Sequence, residues 1–92
     1  MSDDLFGPVA DELAQAAFSD DRLKMLTDAV PTHAFTVAQV ARLLTSFPYP
    51  ADRLRAVKLL WPRVVDRGNG AMLYDSFSFQ SEKDDLRAVL GE

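Results

Sequence analysis

Apolar residues recur along this 92-residue chain at helical rather than strand spacing, and the spacing predicts about six short helices. Phe6, Ala10, Leu13 and Ala17 fall at i, i+4, i+7 and i+11 and mark a first helix over residues 3–17. Leu23, Leu26 and Val30 mark a second. Ser19, Asp20 and Asp21 open it, with side chains suited to an N-cap and to the positive end of a helix dipole, and Pro31 stops it. Thr36 can cap a third helix with Val37, Val40, Ala41 and Leu44 on one face, ending at Ser46-Phe47-Pro48. Pro50 begins a fourth, whose stripe is Leu54, Val57, Trp61 and Val64. Pro62 lacks a backbone donor, so it kinks this helix or shortens it to about residue 60. Arg67-Gly68-Asn69-Gly70 reads as the clearest loop. A short helix over 71–77 follows, then a last one over 80–90 closed by Gly91. Strand-like alternation is confined to residues 74–79.

The chain also echoes itself. Leu43-Leu44-Thr45-Ser46-Phe47-Pro48-Tyr49 aligns with Leu73-Tyr74-Asp75-Ser76-Phe77-Ser78-Phe79 at a constant offset of thirty. A second signature, an aromatic followed three and four residues later by an acid and a base, occurs as Phe18-Asp21-Arg22, Tyr49-Asp52-Arg53 and Phe79-Glu82-Lys83. Each unit reads as helix, aromatic-bearing turn and helix, with the aromatic filling the space between paired helices and the acid meeting the second helix's dipole. The pattern predicts a compact all-α bundle of about six short helices arranged as two to three helical-hairpin repeats. It forms a single domain over 1–92, with an acidic N-terminal helix (1–17) ahead of the repeat-containing region (18–90).

Composition narrows the chemistry. With 48% hydrophobic and 26% charged residues the chain folds around its own core, and a domain this small gains from oligomerisation. There is no cysteine and a single histidine, His33, which excludes disulfides, thiolate chemistry and multi-histidine metal sites. The net charge of -4 argues against general nucleic-acid binding. Residues 1–21 carry acids and no base, whereas residues 22–67 hold eight Lys or Arg against three Asp, so the acidic ends are expected to fold back beside a basic middle. No apolar run reaches the roughly 20 residues of a membrane span. Met-Ser-Asp-Asp is unlike a signal peptide, and with Met1 as the native start the expectation is a cytoplasmic protein.

The stretch from Phe18 to Leu90 resembles the domain of unknown function 4476 family. The resemblance rests on Phe18 with Arg22-Leu23, on Phe35-Thr36-Val37-Ala38-Gln39-Val40 leading to Leu43-Leu44 and Phe47, and on Leu59-Leu60-Trp61-Pro62-Arg63-Val64-Val65-Asp66. Asn69, Phe77-Ser78-Phe79 and Ser81-Glu82-Lys83 complete it. Two departures stand out: Trp61 replaces a smaller aromatic, and Gly68 with Gly70 loosens the loop. The resemblance implies a helical fold and carries no catalytic residues.

Among candidate sites, Asp66 and Asn69 suggest a cation loop, but the ligand spacing of an EF-hand is missing, since glycines occupy ligand positions and Phe77 the last. They are expected instead to bind loop amides and cap the helix starting near Gly70. His33 has no nucleophile partner and reads as loop-bracing. Asp3-Asp4, Asp20-Asp21 and Asp84-Asp85 sit in first turns, where the dipole accounts for them. Residues 36–67 resemble a helix-turn-helix whose second helix bears Arg53, Arg55, Lys58, Arg63 and Arg67, although the bulky Ser46-Phe47-Pro48-Tyr49-Pro50 connection opposes it. Burial is expected for Phe47, Phe77 and Phe79, whereas Trp61 either packs in the core or, where Pro62 bends the chain, sits near the surface beside Tyr49 or Tyr74 as a partner anchor.

These readings converge on a non-enzymatic protein–protein interaction or regulatory module that binds a partner segment or self-associates. Its partner-binding residues are Trp61, Tyr49, Tyr74, Arg53, Arg55 and Lys58. No catalytic residue, metal, cofactor or small-molecule substrate is evident, and the alternative is helix-turn-helix-like nucleic-acid binding through 36–67.

Overall fold

Thr36 decides where the central helix begins. Its Oγ1 accepts the Gln39 N–H at 3.2 Å, and the Gln39 Oε1 accepts the Thr36 N–H at 3.1 Å, a reciprocal capping box. In the computed structural model, which describes residues 1–16, 18–30 and 33–91, the elements are α1 (Asp3–Gln15), α2 (Ser19–Ala29), α3 (Val37–Leu44), α4 (Pro50–Leu60) and α5 (Gln80–Leu90). A 3-10 turn at Trp61–Arg63 and a long 3-10 helix at Arg67–Ser76 lie between α4 and α5. The expectations placed on Ala17 and Pro31, and on the side chains of Asp3 and Ser19, fall outside what is described. None of the described helices is long and apolar enough to cross a membrane.

The helices α3 and α4 form the centre. Against α3 lie α1 and the long 3-10 helix, and against α4 lie α2 and α5. The core joins all of them through Phe6 and Leu13 of α1, Leu26 of α2, Val40, Leu43 and Leu44 of α3, Val57 and Leu60 of α4, Leu73, and Leu86 of α5. Between elements, Phe35 and Phe47 fill the same core. Burial of apolar area on this scale is the main favourable term in folding. The Cα radius of gyration is 12.2 Å, against about 12 Å for a folded chain of this length. The first helix is therefore part of the core rather than a detached acidic arm.

Several local expectations need correction. Residues 67–70 are not a loop. They form the first turn of the 3-10 helix, with Gly70 buried against the Trp61 indole, where an added Cβ would lie 3.1 Å from Cη2. The N-cap position of α2 is Phe18, and α1 stops at Gln15. Pro62 does end α4 at Leu60, and Gly91 closes α5 at φ 78°, a left-handed conformation that glycine adopts without a Cβ clash. Residues 74–79 form no strand. The extended pairing present lies elsewhere, as a parallel bridge between Phe35 and Val64, where the Phe35 N–H donates to Arg63 at 2.9 Å and the Val65 N–H to Phe35 at 2.9 Å.

The three aromatic signatures form one recurring turn. Phe18, Tyr49 and Phe79 each occupy the N-cap of the following helix with extended backbone, and each carbonyl accepts the N–H four residues on, at 3.1 Å. Two residues earlier, the N–H groups of Ala16, Phe47 and Phe77 close the preceding helix with i to i−3 bonds. The cap aromatics point outward, at 70%, 66% and 68% exposure for Phe18, Tyr49 and Phe79. Phe79 is thus not buried, and the cap aromatics do not plug the space between helices. Phe47 and Phe77 do that work instead. The echo lies in the turn, for the helices leading into it differ, α-helical before Phe18 and Tyr49 and 3-10 before Phe79.

Candidate functional site: a trough between two parallel helices

Each arginine of the recurring turn reaches back six residues. Arg22 donates through Nη2 to the Ala16 carbonyl at 2.7 Å and through Nε to Leu13 at 3.2 Å, satisfying the open end of α1. Arg53 donates through Nε to the Phe47 carbonyl at 2.7 Å and through Nη1 to the Ser76 carbonyl at 2.7 Å, joining two turns with one planar group. Arg53 is half-buried, and both of these bonds tie its guanidinium to the fold.

The α4–α5 interface opens into a surface trough. One cavity of about 660 Å³ is lined by Leu54, Lys58, Trp61 and Pro62 on one side and by Asp85, Ala88 and Val89 on the other. A second, of about 370 Å³, continues it toward Pro50, Ala51, Arg55, Phe77 and Glu82 and shares Leu54, Lys58 and Asp85 with the first. The start of α4 faces the start of α5, and end faces end, so the two helices run in the same direction. Leu54 and Trp61, which the helical period assigns to a buried stripe, are only half-buried because α5 leaves this edge of α4 uncovered. Arg67 lies over the Trp61 ring, 5.8 Å from its centroid.

Of the six residues singled out in the sequence, the trough gathers Trp61, Arg55 and Lys58. Tyr49 stands exposed at the opposite end of α4 from Trp61, so the two are not neighbours. Tyr74 is half-buried and packs on the core. Asp85, Ala88 and Val89 were missed in the sequence. The acidic pattern of α5 suits its helix dipole, and nothing local shows which neighbour faces it.

A second cluster surrounds the start of α3. The Asp66 carboxylate accepts the Val37 N–H at 2.7 Å and the Asn69 Nδ2–H at 3.0 Å. These two bonds, Asn69 first, hold its carboxyl below the usual carboxylate range. Asp66 sits at the N-cap position of the long 3-10 helix, yet its side chain caps α3 instead. The buried Gln39 also donates to the Met1 carbonyl at 2.6 Å. Every bond in this cluster is internal, which makes it an architectural joint.

His33 lines a cavity of about 370 Å³ between α1 and α2 together with Glu12, Met25 and Asp28, and its carbonyl accepts Arg63 Nε at 3.0 Å. Among the described residues, no group of three or more His, Asp or Glu side chains is placed to hold a metal ion. Among the described residues, the expected pairing of acidic ends with a basic middle does not form as ion pairs. The ion pair found among the described residues is local, Arg55 to Asp52 at 3.8 Å.

A model of the family described as Domain of unknown function (DUF4476) matches residues 1–90, taking in α1 as well as the region from Phe18 onward. No curated protein and no solved structure matches the chain.

Proposed function

The chain belongs to the DUF4476 family, and from that premise we propose that it is a non-enzymatic protein-interaction module whose docking surface is the α4–α5 trough. The observation that carries this reading is the half-exposed apolar floor of Leu54, Trp61 and Val89 beside exposed charges, an arrangement suited to an anchored contact with a polar rim. Tryptophan is a residue type on which binding energy concentrates. Protein is favoured over nucleic acid as the partner because Arg53, Arg63 and Arg67 all donate to carbonyls of their own chain, which breaks up the basic face of a helix-turn-helix. Self-association through α1 has less support, since that helix buries Phe6, Ala10 and Leu13 and leaves Leu5 as its large exposed apolar side chain.

The test is site-specific photo-cross-linking of the whole chain in its native cells. A photoreactive residue replaces Ala88 in the trough or, as the control, the exposed Ala14 on α1. A discrete protein adduct from position 88 and none from position 14 is expected. Absence of an adduct at 88, or the same adducts from both positions, overturns the proposal.

A further inference from the structure

The walls of the trough carry opposite charge. On the α4 side stand Arg55 and Lys58, and on the α5 side Glu82 and Asp85, with Leu54 and Val89 between them. Glu82 uses one carboxylate oxygen on the N–H groups of Ser78 and Phe79, at 3.2 and 3.1 Å, and Arg55 leans on Asp52. Lys58 and Asp85 line both cavities, and neither forms an ion pair with a described residue. The apolar floor keeps these opposite charges on separate rims, each open to a charge supplied from outside.

The length of the trough follows from α4. Eleven residues at about 1.5 Å each give roughly 16 Å, room for about three turns of a helix laid along it. Resting on the docking reading above, we infer that the occupant is an amphipathic helix of a partner protein with an apolar stripe, an acidic edge and a basic edge, the acidic edge lying against Arg55 and Lys58 and the basic edge against Asp85. An apolar stripe at i, i+3, i+4 and i+7 fills the floor. Turning a helix end for end exchanges its edges, so the two walls fix the direction in which the partner lies, and a helix with like-charged edges meets repulsion on one wall in either direction.

Three synthetic helical peptides of about fourteen residues with the same leucine stripe test this. One has glutamates on one edge and lysines on the other, one has lysines on both edges, and one has glutamates on both. Binding to the whole chain is followed by fluorescence anisotropy at 100 mM salt, where a Debye length of about 10 Å confines the comparison to charges at the trough. The mixed-edge peptide is expected to bind about tenfold tighter than either other, from several partly exposed ion pairs acting together. The double variant Arg55→Glu/Lys58→Glu makes both walls acidic and moves the preference to the all-lysine peptide. The variant Asp85→Lys moves it toward the all-glutamate peptide, and thermal melting confirms that both variants fold. Equal binding of all three peptides, or a preference unchanged in both variants, overturns the charge rule while the docking reading stands on its cross-link. Failure of all three to bind overturns the helical occupant; together with no adduct at position 88, it overturns both readings.

Discussion

The Asp66 carboxylate accepts the backbone N–H of Val37 at 2.7 Å across 29 positions of sequence. The residue at the N-cap position of the long 3-10 helix is thereby an external cap for α3, whose own Thr36–Gln39 box leaves the Val37 N–H open. Asn69 holds the other carboxylate oxygen, and the Phe35–Val64 bridge brings the two segments together. Residues in three of the stretches that carry the family resemblance meet at this joint, so that part of the resemblance reports how the domain is built.

Replacing Asp66 therefore loosens the joint. Asp66→Ala is expected to lower the urea midpoint more than Asp66→Asn, which retains an acceptor for Val37. The folded-state carboxyl titrates below its ordinary value. Its contribution is accordingly full above the unfolded value of about 4 and is lost as pH falls through the folded one. Acid titration of stability should show a smaller loss in Asp66→Asn than in the wild type.

Arg53 bonds two carbonyls belonging to different turns. Arg53→Met is expected to cost about 1.5–3 kcal/mol in chemical denaturation, the range for hydrogen bonds to a charged group. Arg53→Lys recovers less than half of that, because an ammonium does not reproduce the planar fork. Full recovery by lysine would show that charge rather than geometry matters at this position.

The first helix contributes to the common core, and Leu13 is fully buried. Leu13→Ala is expected to cost about 2–5 kcal/mol. Deleting residues 1–15 should abolish the cooperative melt, as followed by circular dichroism. A truncated chain that melts cooperatively near the wild-type temperature would contradict the placement of α1 in the core.

Gly70 meets the Trp61 indole at a distance that leaves no room for a branched side chain. Gly70→Val is expected to cost about 1–3 kcal/mol by overpacking. It should also shift the emission of Trp61, the chain's one tryptophan, because the ring must move within the trough. Unchanged emission would mean that the 3-10 helix yields instead.

Much of the secondary structure was legible because its causes are local. Thr36 with Gln39, Pro50 at the start of α4, Pro62 after its end and Gly91 after α5 act over four residues or fewer. Helical periodicity likewise marks the apolar faces of α1 and α3. Residues 67–70 misled because two glycines suggest a loop, whereas Gly70 is needed where a Cβ would press on Trp61. Phe79 misled because hydrophobicity argues for burial, while at the N-cap of α5 its ring stands exposed to solvent.

The sequence by itself determined an all-helical chain and where most of its helices stop, since capping, proline and apolar period act between near neighbours. Only the tertiary structure decided that Asp66 serves α3, that Arg53 belongs to the fold and that Trp61 shares a trough with Asp85. Each of those relationships joins segments more than 20 residues apart, so it depends on the path of the chain and on which edge of α4 its neighbours leave uncovered.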